Sequence, residues 1–172
     1  RKFVCLPIIL ISFFSIESFS ESIEEVVVKG SWREKSANQE DSSFILFSSK
    51  NVKAQSMKHF EQLSFLVPNL NFAASDSRAR YFQIRGIGER SGYQGTPNSS
   101  VGLLIDDIDY SGQGGIATTF DVNQIEVFRG PQGARIGANA LAGLIYIQTK
   151  DPTDTFEATS EATIGTYGTK ST

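Results

Sequence analysis

Apolar residues along this chain come in short runs, and glycine-bearing polar stretches separate them. The runs FILF (44–47), LNFA (70–73), YFQIRG (81–86), VGLLID (101–106), IEVFRG (125–130) and LIYIQTK (144–150) predict strands. β-Branched and aromatic residues bounded by turn formers suit a pleated, buried backbone. One stretch has a longer period. Across 50–66, Val52, Met57, Phe60, Leu63 and Val67 fall roughly on one side of a helix, with Ser49 as the candidate cap. Pro68 stops it, because proline cannot continue the hydrogen-bond ladder. The spacing slips at Gln55-Ser56, so two short helices fit as well as one. The connections 89–100, 110–119 and 130–143 are rich in turn residues. The pattern as a whole predicts a mixed α+β core with long glycine-bearing connections.

Both ends differ from this middle. After Asp151-Pro152 the apolar period shortens to two, through Phe156, Ala158, Ser160, Ala162 and Ile164. That alternation predicts an exposed or barrel-type strand, followed by a turn around Gly165–Gly168. Residues 21–43 predict a polar, mobile linker, with one exception: the β-branched run Val26-Val27-Val28 has strong β-propensity and no visible partner in the linker. The chain opens with Arg1-Lys2, the apolar run FVCLPIILISFF and the small residues Ser18 and Ser20. A helix needs about 20 apolar residues to cross a bilayer, and this run is shorter. It predicts a signal peptide over 1–20, cleaved after Ser20.

Composition narrows the function. The 172 residues are 40% hydrophobic and 20% charged, enough to bury the core of one domain with extensions. A net charge of -3 without a basic stripe speaks against nucleic acid, whose phosphates demand a positive face. Cys5, the single cysteine, lies inside the signal peptide, so no disulfide or thiolate metal site is expected. His59 is the single histidine and cannot make a zinc site alone. Gly86-Ile87-Gly88 lacks the helix that a dinucleotide fingerprint needs. A calcium loop starting at Asp107 would put Thr118 where a bidentate glutamate belongs. No nucleophile–base pair stands out, so neither catalysis nor a cofactor is expected. What remains is a set of arginines. Arg85 and Arg129 each end an apolar strand and are followed at once by Gly86 or Gly130, and Arg135 lies nearby. An arginine held at such a corner can make a fixed bidentate pair with a carboxylate outside the segment.

These residues are similar to the plug domain of TonB-dependent outer-membrane receptors. IEVFRGPQGARIGANALAGLIYIQTKDP (125–152) resembles the end of that domain. YFQIRGIG (81–88) resembles its R-G strand, and VGLLIDDIDY (101–110) its V-x-x-x-x-D-G strand, with Asp107 in place of the usual glycine. VKAQSMKHFEQLSFLVPNLNF (52–72) resembles its helix-and-VPG element, with Asn69 replacing glycine, and Ile136 stands where the family often has an aromatic. IEEVVVKG (23–30) resembles a TonB box.

The resemblance implies a signal peptide at 1–20, TonB box and linker at 21–43, plug at 44–152, and the start of a transmembrane barrel at 153–172. Such a plug is a small mixed sheet flanked by short helices, inside a barrel of about 22 strands. The twenty residues after Pro152 hold one such strand and the start of a second, so the chain reads as a fragment. By resemblance, Glu24, Glu25, Val26, Val27, Val28 and Lys29 contact TonB. Arg85, Glu126 and Arg129 make ionic contacts with the protein's own C-terminal barrel. Arg78, Arg80, Tyr93, Gln94, Tyr110 and Gln113, on candidate outward loops, are ligand contacts. The implied location is the outer membrane of a Gram-negative bacterium, the partner is TonB, and the default ligand is a ferric siderophore. The competing reading is a free-standing secreted or periplasmic ligand-binding module of α+β fold.

Overall fold

The computed structural model describes residues 26–31, 33, 35–57, 59–74, 79–91, 98–113, 118–158, 160, 162–168 and 170–171. Its centre is a five-stranded sheet in the order β3-β8-β9-β6-β7. These strands are β3 (Phe44–Ser48), β6 (Val101–Ile105), β7 (Ile108–Asp109), β8 (Val122–Phe128) and β9 (Gly143–Thr149). β8 runs antiparallel to both β3 and β9, whereas β6 and β9 are parallel. A separate antiparallel pair, β4 (Leu70–Ala74) and β5 (Ala79–Ile84), packs beside it. Near the N-terminus β1 (Val27–Val28) pairs with β2 (Lys35–Ser36).

Each central strand is apolar on both sides, and each side meets a different cluster. Phe47, Val101, Leu103, Ile125, Val127, Ile145 and Ile147 point into the larger core. Phe44, Leu46, Leu104, Phe128, Leu144 and Tyr146 point the other way, into a smaller one with Val28, Ile136 and Ala140. A sheet covered on both faces needs continuous apolar runs instead of strict alternation, which is what the strands carry. Full burial of one such side chain is worth about 1.5–3 kcal/mol.

The helical stretch closes the larger core. It breaks into α1 (Ser49–Ala54), a 3-10 turn at Phe60–Gln62 and α2 (Leu63–Leu66). Val52, Met57, Phe60, Leu63 and Val67 are all buried there. The cap is Ser48 and not Ser49, its side chain accepting from the Asn51 N–H. The break falls at Ser56, whose φ of 50° belongs to no right-handed helix. Asn69 and Asp107, the residues that replace family glycines, have φ of 64° and 69°. Both turns therefore keep the left-handed backbone, which Asn and Asp tolerate better than other side chains.

The alternating run after Pro152 behaves differently from expectation. Among the described residues after Pro152, strand appears only as β10 (Thr163–Ile164) and β11 (Lys170–Ser171), an antiparallel pair around the turn Thr166–Gly168. Phe156 is exposed, and residues 156–158 have no partner strand among the described residues. Alternation specifies a strand only where a neighbour can take its hydrogen bonds.

Candidate functional site

The valine run, which its β-propensity sets apart from the mobile linker expected around it, is seated on the plug. Val28 is fully buried, packed in the smaller core against β6, β8 and β9. Gln124 Nε2 donates to the Val27 carbonyl at 2.9 Å, and the Ala37 N–H donates to the Val26 carbonyl at 3.0 Å. Beyond Val28 the backbone meets a carboxylate. The Lys29 N–H donates to Glu126 Oε1 and the Gly30 N–H to Glu126 Oε2, both at 2.8 Å. Gln124 Nε2 donates to the same carboxylate. Glu126 is itself fully buried. Desolvation pushes its carboxyl above the ordinary glutamate range, opposed by the Lys29 and Gly30 amides, by Gln124 and by the charge of Arg135.

Gly30 fits here because it has no side chain. A Cβ would lie 2.5 Å from the Phe128 ring and 2.7 Å from Glu126 Oε2. One residue further, Arg135 Nη1 donates to the Ser31 carbonyl at 3.1 Å, while Nη2 pairs with Asp107. The guanidinium carbon stands 5.2 Å from the centre of the Tyr146 ring. Burial, then the nearby Asp107 charge, pushes the Tyr146 phenol up to about 12.

Gly143 lies against the residue that precedes each arginine corner. A Cβ on this residue would collide with the Phe128 carbonyl oxygen and with Ile84 Cδ1. The Ile84 side chain from β5 and the Phe128 carbonyl from β8 therefore both close on Gly143, and Arg85 and Arg129 follow them directly in sequence. Arg85 is exposed with a φ of 54°, followed by Gly86 at 81°. Arg129 donates from Nη2 to Ser43 Oγ at 2.9 Å, and its Nε is buried without a partner among the described residues. Glu126 does not join them at the surface. Its side chain turns into the smaller core to hold residues 29–30, because the alternation of β8 puts it on the inner face with Phe128.

Three ligand-contact candidates fall among the described residues. Arg80 donates from Nε to the Gly112 carbonyl at 3.2 Å and stacks on Tyr81. Tyr110 packs against the larger core, and its N–H donates to the Leu103 carbonyl. Gln113 is exposed and its N–H donates to the Tyr110 carbonyl. The structure thus brings Arg80 against the 110–113 turn, beside a small recess lined by Glu89, Ser99 and Gly112. The acidic trio is already engaged: Asp106 accepts from Thr149, Asp107 from Arg135, and Asp109 from Ser111 and Asn139. Burial opposes the Asp109 charge, but the Ser111 and Asn139 hydrogen bonds outweigh it and hold the carboxyl below its ordinary range. Glu24, Glu25, Arg78, Tyr93 and Gln94 lie outside the described residues.

Residues 36–144 match the family model of the TonB-dependent receptor plug domain. The chain belongs to that family. This plug is 29% identical over 135 residues to a pesticin receptor of Yersinia enterocolitica, covering 78% of the chain and 19% of the relative. It is 30% identical over 128 residues to the Yersinia pestis pesticin receptor, covering 74% and 18%. Among solved structures it is similar to the ferric yersiniabactin uptake receptor FyuA of Yersinia pestis, with a TM-score of 0.53 and 26% identity, over 70% of the chain and 19% of that receptor. The ferripyoverdine receptor of Pseudomonas aeruginosa shares the fold, with a TM-score of 0.58 at 16% identity, over 74% and 17%. The chain thus spans about a fifth of the length of the receptors it matches. Membership places the plug in a receptor family and not among enzymes.

Reading the sequence missed the internal roles of Gly30, Glu126 and Arg135 in the plug. One signal was present: Glu126 sits between Ile125 and Val127 in an otherwise apolar strand, where a buried carboxylate demands donors from nearby backbone.

Proposed function

We propose that the chain is the N-terminal part of an outer-membrane receptor that binds a ferric siderophore and imports it with energy delivered by TonB. The observation that carries this reading is the match of residues 36–144 to the TonB-dependent receptor plug. The solved relative named for ferric yersiniabactin uptake supports an iron chelate as cargo. In this reading residues 1–20 are a signal peptide and residues 153–172 open the barrel. The plug fills the barrel lumen, and Arg85 and Arg129 pair with carboxylates of its wall. The unpartnered Nε of Arg129 supports that pairing, because a buried N–H costs stability until an acceptor reaches it. Arg78, Arg80, Tyr93, Gln94, Tyr110 and Gln113 remain the proposed ligand contacts, with cations suited to an anionic chelate.

TonB takes residues 24–29 by strand addition, in which backbone bonds supply affinity. Val27→Pro in the complete receptor tests this, since proline removes a strand donor. Radiolabelled iron-chelate uptake is lost while chelate binding to cells persists. Normal uptake by the variant would refute the assignment.

A further inference from the structure

Residues 27–31 lie on the sheet through contacts of three kinds. Val28 is buried, two backbone amides are held by one carboxylate, and one backbone carbonyl is held by an arginine. The two polar holders come from distant parts of the chain. Glu126 is on β8, and Arg135 follows it in the short helix α3 (Gly133–Ile136). Arg135 also pairs with Asp107, in the turn between β6 and β7. That turn leads directly into Tyr110 and Gln113. A single side chain therefore touches the seated segment, the sheet at Tyr146 and the hairpin that ends in two candidate ligand contacts.

We propose that Glu126 and Arg135 form a two-point clasp that keeps residues 27–31 on the plug, and that Arg135 ties the opening of this clasp to the Asp107 turn. Displacing the turn takes away the carboxylate that orients the guanidinium, and the Ser31 carbonyl loses its donor with it. The segment then keeps the Glu126 carboxylate, the Gln124 bond to the Val27 carbonyl, the β1–β2 pairing and the burial of Val28, but no longer the arginine. The reach of the Gly30 backbone into the Glu126 carboxylate makes the clasp intolerant of any side chain at that position. This inference rests on the reading that TonB takes this segment. The clasp itself concerns only whether the segment is seated.

Amide hydrogen exchange on the complete receptor, measured without TonB, tests it in three variants. Gly30→Ala pushes a methyl group against the Phe128 and Glu126 side chains without replacing any residue of the sheet. Arg135→Gln removes the second holder. Asp107→Asn keeps a residue that tolerates the left-handed turn but removes the charge. Loss of one charge-assisted hydrogen bond corresponds to about a tenfold rise in local opening, which exchange within 27–31 should show in all three variants. Peptides covering 122–128 and 143–149 should keep wild-type protection. Unchanged exchange at 27–31 in Gly30→Ala and Arg135→Gln overturns the clasp, as does an equal rise in the sheet peptides. Unchanged exchange in Asp107→Asn alone overturns the tie to the turn. Binding of purified TonB to the same variants separates the two readings. A released segment without tighter TonB binding leaves the clasp standing and removes the TonB assignment.

Discussion

Gly143 lies against the carbonyl oxygen of Phe128, so close that a single methyl group on Gly143 would overlap it. The Ile84 side chain closes the same gap from β5. A main-chain oxygen held in a sheet cannot swing aside, as the end of a flexible side chain can. Gly143→Ala therefore destabilises the plug by about 1–3 kcal/mol, the usual cost of overpacking. Gly133, in α3, has open space where its Cβ would be. Gly133→Ala is neutral or stabilises by up to ~1 kcal/mol through helix propensity. Urea denaturation of the two variants measures the contrast, and equal midpoints would show that the strand ends do not meet as described.

The buried Glu126 gives stability a pH dependence of defined sign. Desolvation raises its folded-state pKa above the unfolded value, which is near 4.5. Between those two values the folded chain binds the proton more tightly than the unfolded chain. The contribution is fully present below the unfolded value and is lost as pH rises through the folded one. Unfolding free energy of the wild type should therefore decline relative to that of Glu126→Gln as pH rises above 4.5. Parallel profiles for the two proteins would contradict this.

Burial separates residues that composition treats alike. Ile125 is fully buried between β3 and β9, while Phe120 is 86% exposed. Ile125→Ala costs about 2–5 kcal/mol, the range for a large-to-small change in a packed core. Phe120→Ser changes the stability of this chain by less than about 0.5 kcal/mol. Thermal melting of both variants checks the ranking, and a larger loss at Phe120 would reverse it.

The arginine corners make a prediction that belongs to the complete receptor. Arg85→Ala and Arg129→Ala each remove one side of a proposed pair with the barrel wall. Breaking a buried pair by removing one partner costs about 3–5 kcal/mol, because the other charge stays buried. Each variant should let the plug unfold inside an intact barrel at lower denaturant, read as earlier protease cleavage within 44–152. A plug as resistant as the wild type would place those arginines away from any carboxylate.

Much of this fold was legible because its strands are continuous apolar runs. Each of the six predicted runs became a strand, with ends moved by a few residues. The slipped spacing at Gln55-Ser56 left one helix or two equally open, and the backbone breaks at Ser56. The seating of Val28 was not, because its partners are Leu104, Phe128, Leu144 and Tyr146, all far along the chain. Local propensity carries no record of such contacts. The direction of Glu126 was hidden for a related reason. A carboxylate in a strand reads as surface charge until the backbone amides that satisfy it are located, and these lie 96 and 97 positions away. The alternating tail misled in the opposite sense, since its pattern was clear but residues 156–158 pair with no strand among the described residues.

The order of the central sheet governs how the plug responds to mechanical load. β3 is one of the sheet's two edge strands and also its first in sequence, and it is hydrogen-bonded to β8 on one side only. Tension applied ahead of residue 27 reaches the small β1–β2 hairpin first, then this outer strand. β9 is flanked on both sides and comes last among the five in sequence. A tug on the N-terminus would therefore strip the sheet from its rim inward, leaving β6, β8 and β9 as the remnant that holds its place longest.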